Sequence, residues 1–335
     1  MITELVQKMI DRVDLSEQEA RGAMEEIMAG HATDAQIAAF LLALRMKGET
    51  APELIGFARV MREKAERFWD GDALAVLDTA GTGGDRSGTF NISTAAAFVA
   101  AAAGVRVAKH GNRSASSKCG SADVMEALSI DIQMPVDRLR TAIKDVGIGF
   151  LFAQRFHTSM KHVSPVRAQL KVRTVFNILG PLANPASACF QVVGVSSPEI
   201  MELVGNALLG LGRRHAFVVH GANGMDEVSI VGRTYVVELR DGELRQFLMT
   251  PENFGIRPAK LDDIRGGDAA DNARIIESIF RGERGPRRDV VLLNTAPALV
   301  ASGAVTTWKE GIRLAAESID SGAALRKLEE LRQLS

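Results

Sequence analysis

The chain has 335 residues, 46% of them apolar, enough to bury the cores of about two domains and too many for a disordered chain. With 40 lysines and arginines against 41 acids, the formal net charge is -1; a protein living on nucleic-acid phosphates is not expected, and any anionic ligand must be held by a local pocket. Cys119 and Cys189 are too few for a disulfide framework or a Cys-rich zinc site, and the longest apolar stretch, Ala95 to Val105, is too short to span a bilayer. With no signal-peptide apolar region at the N-terminus, the expectation is a soluble cytoplasmic protein without a membrane partner.

From the start to about residue 70 the pattern is helical. Leu5, Met9, Ile10 and Val13 follow helical spacing, Ser16 precedes Glu19 as a capping box would, a third helix carries Ile37, Phe40, Leu41 and Leu44, and a fourth starts near Pro52. At Ala75 the period changes: AVLDTA is a short apolar run ending in glycines, as a buried parallel strand would be. Helices are predicted for AAAFVAAAAG, SADVMEAL, VDRLRTAIKDVG and PEIMELVGNALLGLG, and strands for VRVAKHG, GIGFLFA, CFQVVGV and HAFVVHG. This alternation predicts an α/β fold with a mostly parallel central sheet beside a small helical N-terminal domain. Turns at Gly232-Arg233 and Asp241-Gly242 predict a hairpin near residues 228–249, and the C-terminal part reads as helix again, with Pro297 at a first turn or a kink.

Four clusters carry candidate chemistry. The first is Asp78-Thr79-Ala80-Gly81-Thr82-Gly83-Gly84-Asp85, continuing to Asn91-Ile92-Ser93-Thr94, where a strand runs into a glycine loop and a helix opens near Ser93. Glycines let main-chain N–H groups approach an anion, and the helix start adds its positive dipole end. The motif is neither a Walker A loop nor a G-x-G-x-x-G fingerprint, and a plain glycine turn with Ser93 or Thr94 as N-cap stays open. Asp85 within the loop points to hydroxyl groups or a metal beside phosphates. The second cluster, Lys109-His110-Gly111-Asn112-Arg113-Ser114 followed by Ser116, Ser117, Lys118, Cys119, Gly120 and Ser121, again lies between a strand and a helix, where open α/β sheets place ligands. The third holds Arg167 and Arg173, which suit carboxylate or phosphate by chemistry and equally suit a surface or a buried acid partner. In the fourth, Gly221 to Glu227, the adjacent acids Asp226 and Glu227 sit in a glycine loop after a predicted strand, a pairing that suits Mg²⁺ and also ordinary solvated surface.

Taken in order, GTGGD, NIST, KHGNRS, SSKCGSADV, VRTVFNILGPLANP, GMDE, GGDAADNARII and GPRRDVVLLN resemble the anthranilate phosphoribosyltransferases of tryptophan biosynthesis over essentially the whole chain. The resemblance implies a small helical domain of residues 1–72 with about 163–184, an α/β domain of residues 73–162 and 185–335, substrates meeting between them, and a homodimer. It implies that phosphoribosyl pyrophosphate is bound by Gly81, Gly84, Asp85, Thr89, Asn91, Ser93, Thr94, Lys109, His110, Gly111, Asn112, Arg113, Ser114, Ser116, Ser117 and Ser121. Anthranilate is then met by Gly81, His110, Asn112, His157, Arg167 and Gly180, and Mg²⁺ by Ser93, Asp226 and Glu227. No general base is assigned, because an aromatic amine is already a neutral nucleophile at pH 7. Two departures fall in the acceptor region: His157-Thr158-Ser159-Met160 stands where the family commonly reads His-Pro-Ala-Met, and Lys171 where it commonly has glycine. The rivals weighed are a pyrimidine nucleoside phosphorylase, whose lysine-serine phosphate motif is not read here, and a nucleic-acid-binding relative, for which a basic face is expected.

Overall fold

In the computed structural model, which describes residues 1–71, 73–114 and 118–335, the chain opens with helices α1 (Ile2–Ile10), α2 (Glu17–Met28), α3 (Asp34–Lys47) and α4 (Ala51–Glu63). Their starts are written in the sequence. The Ser16 hydroxyl accepts from the Glu19 N–H while the Glu19 carboxylate accepts from the Ser16 N–H at 2.8 Å, which is the expected capping box. Thr33 and Gln36 repeat the device on α3, and Pro52 sits in the first turn of α4, where a missing N–H leaves no bond unmade.

Strands β1 (Leu77–Thr79), β2 (Val107–Gly111), β3 (Ile148–Phe152), β4 (Phe190–Gly194) and β5 (His215–Gly221) pair in parallel. β6 (Thr234–Arg240) and β7 (Glu243–Met249) add an antiparallel hairpin, giving the order β3-β2-β1-β4-β5-β6-β7. Its two-residue turn, Asp241-Gly242, holds both residues at positive φ (53° and 81°), the geometry that matches strand twist in tight hairpins. The chain winds outward from β1 to β3 and then returns to the other side of β1. The switch point therefore lies at the carboxyl ends of β1 and β4, where an open α/β sheet leaves a crevice.

The helices that follow are α5 (Ile92–Ala102), α6 (Ser121–Ala127), α7 (Val136–Thr141), α8 (Ala153–Phe156), α9 (Ser164–Leu170), α10 (Phe176–Leu182), α11 (Met201–Gly210), α12 (Ala269–Phe280), α13 (Pro286–Ala301), α14 (Trp308–Asp320) and α15 (Ala323–Leu334). Two apolar cores flank the sheet, and β5 alternates between them with the period of a strand. Phe217 and Val219 join the core built with α5, α13, α14 and α15, while Ala216 and Val218 join the core built with α1 to α4 and α11. Val163, Val166, Phe176 and Leu179 belong to this second core, so α9 packs on α3, and α10 on α4 and α11. Pro297 lies inside α13 rather than in a first turn; the proline at the start of that helix is Pro286. Among the described residues no helix is long and apolar enough to cross a membrane.

Candidate active site

The glycine loop leaves the carboxyl end of β1 and folds under the loop that follows β5. A side chain at Gly81 would place its Cβ 2.5 Å from the Asp226 carboxylate, and the Gly83 N–H donates to that carboxylate at 2.9 Å. Gly83 and Gly84 hold φ of 67° and 78°, a backbone that only glycine adopts without strain. Across the same approach, a Cβ at Gly194 would fall 1.6 Å from the Asp226 carbonyl oxygen. Gly194 was not read as a site residue; the signal was a glycine ending a strand, which marks a close backbone approach.

Asp226 and Glu227 are thus drawn down into the crevice. Burial raises the Asp226 carboxyl above the usual range, with Asp85 adding repulsion, and burial followed by the Asp226 charge raises Glu227 further. The Glu227 carboxylate accepts from the Ser93 N–H at 3.1 Å, in the first turn of α5. Lys109, 2% exposed, reaches from β2 into this cluster: its ammonium donates to the Thr79 carbonyl and to the Ser93 hydroxyl, the latter at 3.3 Å. Its pKa is lowered by burial and drawn back up by Asp78, Glu227 and Asp226. Buried Asn294 on α13 holds the chain just beyond Glu227, accepting from the Val228 N–H at 2.8 Å and donating to the Val228 carbonyl at 2.9 Å. An asparagine inside the run VVLLNTAPALV was the sequence signal for it.

The N-cap of α5 is Asn91, not Ser93 or Thr94. The Asn91 carboxamide makes no capping bond; it accepts from the Asn272 amide at 2.9 Å and donates to the Cys119 carbonyl at 3.4 Å. Asn272, near the start of α12, also accepts from the Gly267 N–H at 2.8 Å, so the late GGDAADNA stretch buttresses the glycine loop, together with a bridge between Thr89 and Arg265. Thr94 is fully buried, and among the described residues its hydroxyl has no partner.

From β2, the His110 N–H donates to the buried Asp78 carboxylate at 3.0 Å, and burial lifts that acid to about 6. The His110 ring lies 5.3 Å from the His157 ring, with Nδ1 3.0 Å from the Gly180 carbonyl. Burial holds the two imidazoles neutral, pushed down to about 4 and about 3. Gly111 is tight against Ser121 and Phe150. Asn112 is exposed, its side-chain oxygen shared by the Arg113 N–H at 2.8 Å and the Gln154 amide at 3.3 Å, so Gln154 is a further polar group at this edge. The Arg113 guanidinium turns onto α6, pairing with Asp123 and Glu126, and the Ser114 N–H donates to Asp123 at 3.2 Å. Ser116 and Ser117 lie outside the described residues.

Arg167, on α9, packs its guanidinium over the Phe176 ring at 5.3 Å, and burial lowers its pKa. Among the described residues it has no carboxylate partner. Six residues on, Arg173 reaches the glycine loop and donates to the Gly83 carbonyl at 3.2 Å. Lys171, between them, ends α9 at φ 54°, a left-handed conformation that explains the family's common glycine at this position. Thr158 and Ser159 stand on a short 3₁₀ turn, Thr158–His162. Anion-accepting loops and a half-buried carboxylate pair therefore meet at one crevice, while Arg167 on α9 stands against Phe176 with no carboxylate partner among the described residues.

Residues 3–65 match the model of a glycosyl transferase family helical bundle domain, and residues 74–325 that of a glycosyl transferase family a/b domain. The class is therefore a two-part glycosyltransferase. The anthranilate phosphoribosyltransferase of Symbiobacterium thermophilum is 54% identical over 331 residues, covering 99% of this chain and 97% of that one. The enzyme of Solibacter usitatus is 51% identical over 325 residues, covering 97% and 96%. The crystal structure of anthranilate phosphoribosyltransferase from Thermus thermophilus superposes with a TM-score of 0.91 at 44% identity, covering 98% of both chains. That of the Saccharomyces cerevisiae enzyme in complex with PRPP and Mg gives 0.90 at 30% identity, covering 99% and 97%. The chain belongs to the anthranilate phosphoribosyltransferase family.

Proposed function

We infer that this chain transfers the 5-phosphoribosyl group from phosphoribosyl pyrophosphate to the amine of anthranilate, releasing pyrophosphate and forming N-(5-phosphoribosyl)anthranilate, in tryptophan biosynthesis. The observation that carries the site assignment is the fold-back of Asp226 and Glu227 onto the glycine loop and the start of α5, beside the Lys109 ammonium. The donor lies along the loops after β1 and β2, with its pyrophosphate toward Lys109, Ser93 and the glycine N–H groups. Breaking the anomeric bond leaves an oxocarbenium-like sugar and a strongly anionic leaving group. Fixed donors at the place where charge develops lower that barrier without reorganising.

The metal site assigned is Ser93, Asp226 and Glu227, all oxygen donors. Two half-buried carboxylates with raised pKa values are an incomplete arrangement that a divalent cation completes. A Mg²⁺ held there would take the rest of its shell from water and phosphate oxygens. When bound, Mg²⁺ supplies charge neutralisation of the pyrophosphate. The acceptor carboxylate pairs with Arg167, whose guanidinium Phe176 already orients, while Asn112 and the edge formed by Gly81, Gly180, His110 and His157 steer the ring. Neutral imidazoles suit an apolar ring and a neutral amine, and no base is needed. What remains for the chain is to hold the amine facing the anomeric carbon.

A homodimer is proposed from the family resemblance. A cytoplasmic setting is proposed because the sequence has only two cysteines, too few for a disulfide framework. The helical domain is proposed to comprise residues 1–72 with about 163–184, since α9 and α10 share the core of α1 to α4. The test is direct: purified protein mixed with phosphoribosyl pyrophosphate, Mg²⁺ and anthranilate quenches anthranilate fluorescence. Unchanged fluorescence with folded protein rejects the assignment.

A further inference from the structure

Arg167 and Phe176 close a short loop of chain, because the guanidinium at its start stacks on the ring at its end. Arg173 lies inside that loop and is exposed. Its guanidinium crosses to the glycine loop and donates to the Gly83 carbonyl at 3.2 Å. The crossing depends on Gly84, where a Cβ would fall 1.9 Å from the Arg173 Nη1. The far side of residue 83 is held as well, since the Gly83 N–H donates to the Asp226 carboxylate at 2.9 Å. Among the described residues Arg173 has no carboxylate partner. Residue 83 thus has its carbonyl tied to the segment that carries Arg167 and its N–H tied to Asp226.

We propose that Arg173 is a positioning residue that couples the two substrate sites, tying the acceptor-gripping segment 167–176 to the donor's glycine loop so that filling one site favours filling the other. The inference rests on the functional reading above. A ligand on Arg167 fixes segment 167–176. With the Arg173 bond in place, the glycine loop is then already ordered when the donor arrives. The donor site is relieved of part of its ordering entropy, and by reciprocity so is the acceptor site. One exposed hydrogen bond from a charged donor puts the coupling at the low end of the usual range, about fivefold.

The experiment is calorimetric titration of phosphoribosyl pyrophosphate into the protein in Mg²⁺ buffer, with and without saturating benzoate, which has the acceptor's carboxylate and no amine to react. The parent protein is expected to bind the donor about fivefold more tightly with benzoate present. Arg173→Ala should bring that ratio to about one, and Arg173→Lys, which keeps the charge and loses the planar fork, should fall between them. Thermal melts of each variant establish folding. An undiminished ratio in Arg173→Ala, or a ratio of one in the parent, overturns the inference while leaving the functional reading intact. A folded parent that binds neither ligand removes the functional reading, and the inference with it.

Discussion

Replacing Arg167 by alanine separates acceptor recognition from donor recognition. The guanidinium is partly buried, is oriented by the Phe176 ring at 5.3 Å, and among the described residues has no carboxylate to answer its charge. A charge-assisted guanidinium–carboxylate contact is worth about 1.5–3 kcal/mol, and partial burial keeps solvent from eroding it. Truncation should therefore raise the anthranilate Michaelis constant by about 10- to 150-fold if ground and transition states are gripped equally. No acid of the protein is left stranded, so the fold loses little beyond a cation–π contact worth about 0.5–1 kcal/mol. Arg167→Lys should recover part of the loss, because a point charge cannot reproduce the planar fork. Steady-state kinetics with each substrate varied in turn is the assay. A rise confined to the donor's Michaelis constant, or no change in either, refutes the reasoning and shifts weight to Thr158, Ser159 and Lys171 as marks of a different acceptor.

Three further expectations follow from the same geometry. Asp226→Asn combined with Glu227→Gln should cut turnover by orders of magnitude, while the metal-free protein melts no lower than the parent, since two mutually repelling, half-buried acids are removed; full turnover at saturating Mg²⁺ contradicts the metal assignment. Gly194→Ala forces a Cβ against the Asp226 carbonyl and should lower stability by about 1–3 kcal/mol in urea melts together with most of the activity; a fully active variant means the carboxylate loop need not approach β4 so closely. His110 falls from 6.5 to about 4 on burial, so the native state resists protonation: its contribution is fully present above pH 6.5 and is lost as pH falls to about 4, a change on the order of 3 kcal/mol. Stability measured across that window should drop, with His157 adding to the fall, and a flat profile from pH 6.5 to 4 counts against two buried neutral rings.

Much of this was legible in the residues, and the reasons are physical. Local rules act on neighbours, so the Ser16–Glu19 capping box, the Asp241-Gly242 hairpin and the apolar runs of β3 to β5 could be read directly. The glycine loop and the DE pair were visible as separate motifs. Local rules do not show them meeting, which only the family resemblance implied, because the Asp226 carboxylate and the Gly83 N–H are brought together by the strand order β1-β4-β5. Gly194 is a glycine ending a strand, and Asn272 and Asn294 fall in the stretches GGDAADNARII and GPRRDVVLLN, whose role local rules do not reveal. Each gains its meaning from a backbone supplied by a distant segment. The Arg113 guanidinium pairs with Asp123 and Glu126 of the helix it precedes, a contact the motif alone did not show. Arg173 could not be told from a surface arginine until the loop it touches was in place.

The central claim is a transfer that needs both substrates at once, and the stoichiometry of pyrophosphate release tests it most directly. With phosphoribosyl pyrophosphate and Mg²⁺ in excess, limiting anthranilate should release one pyrophosphate for each anthranilate consumed, and release should stop when anthranilate is exhausted. Continued release without anthranilate, or consumption of anthranilate without pyrophosphate, would contradict the account.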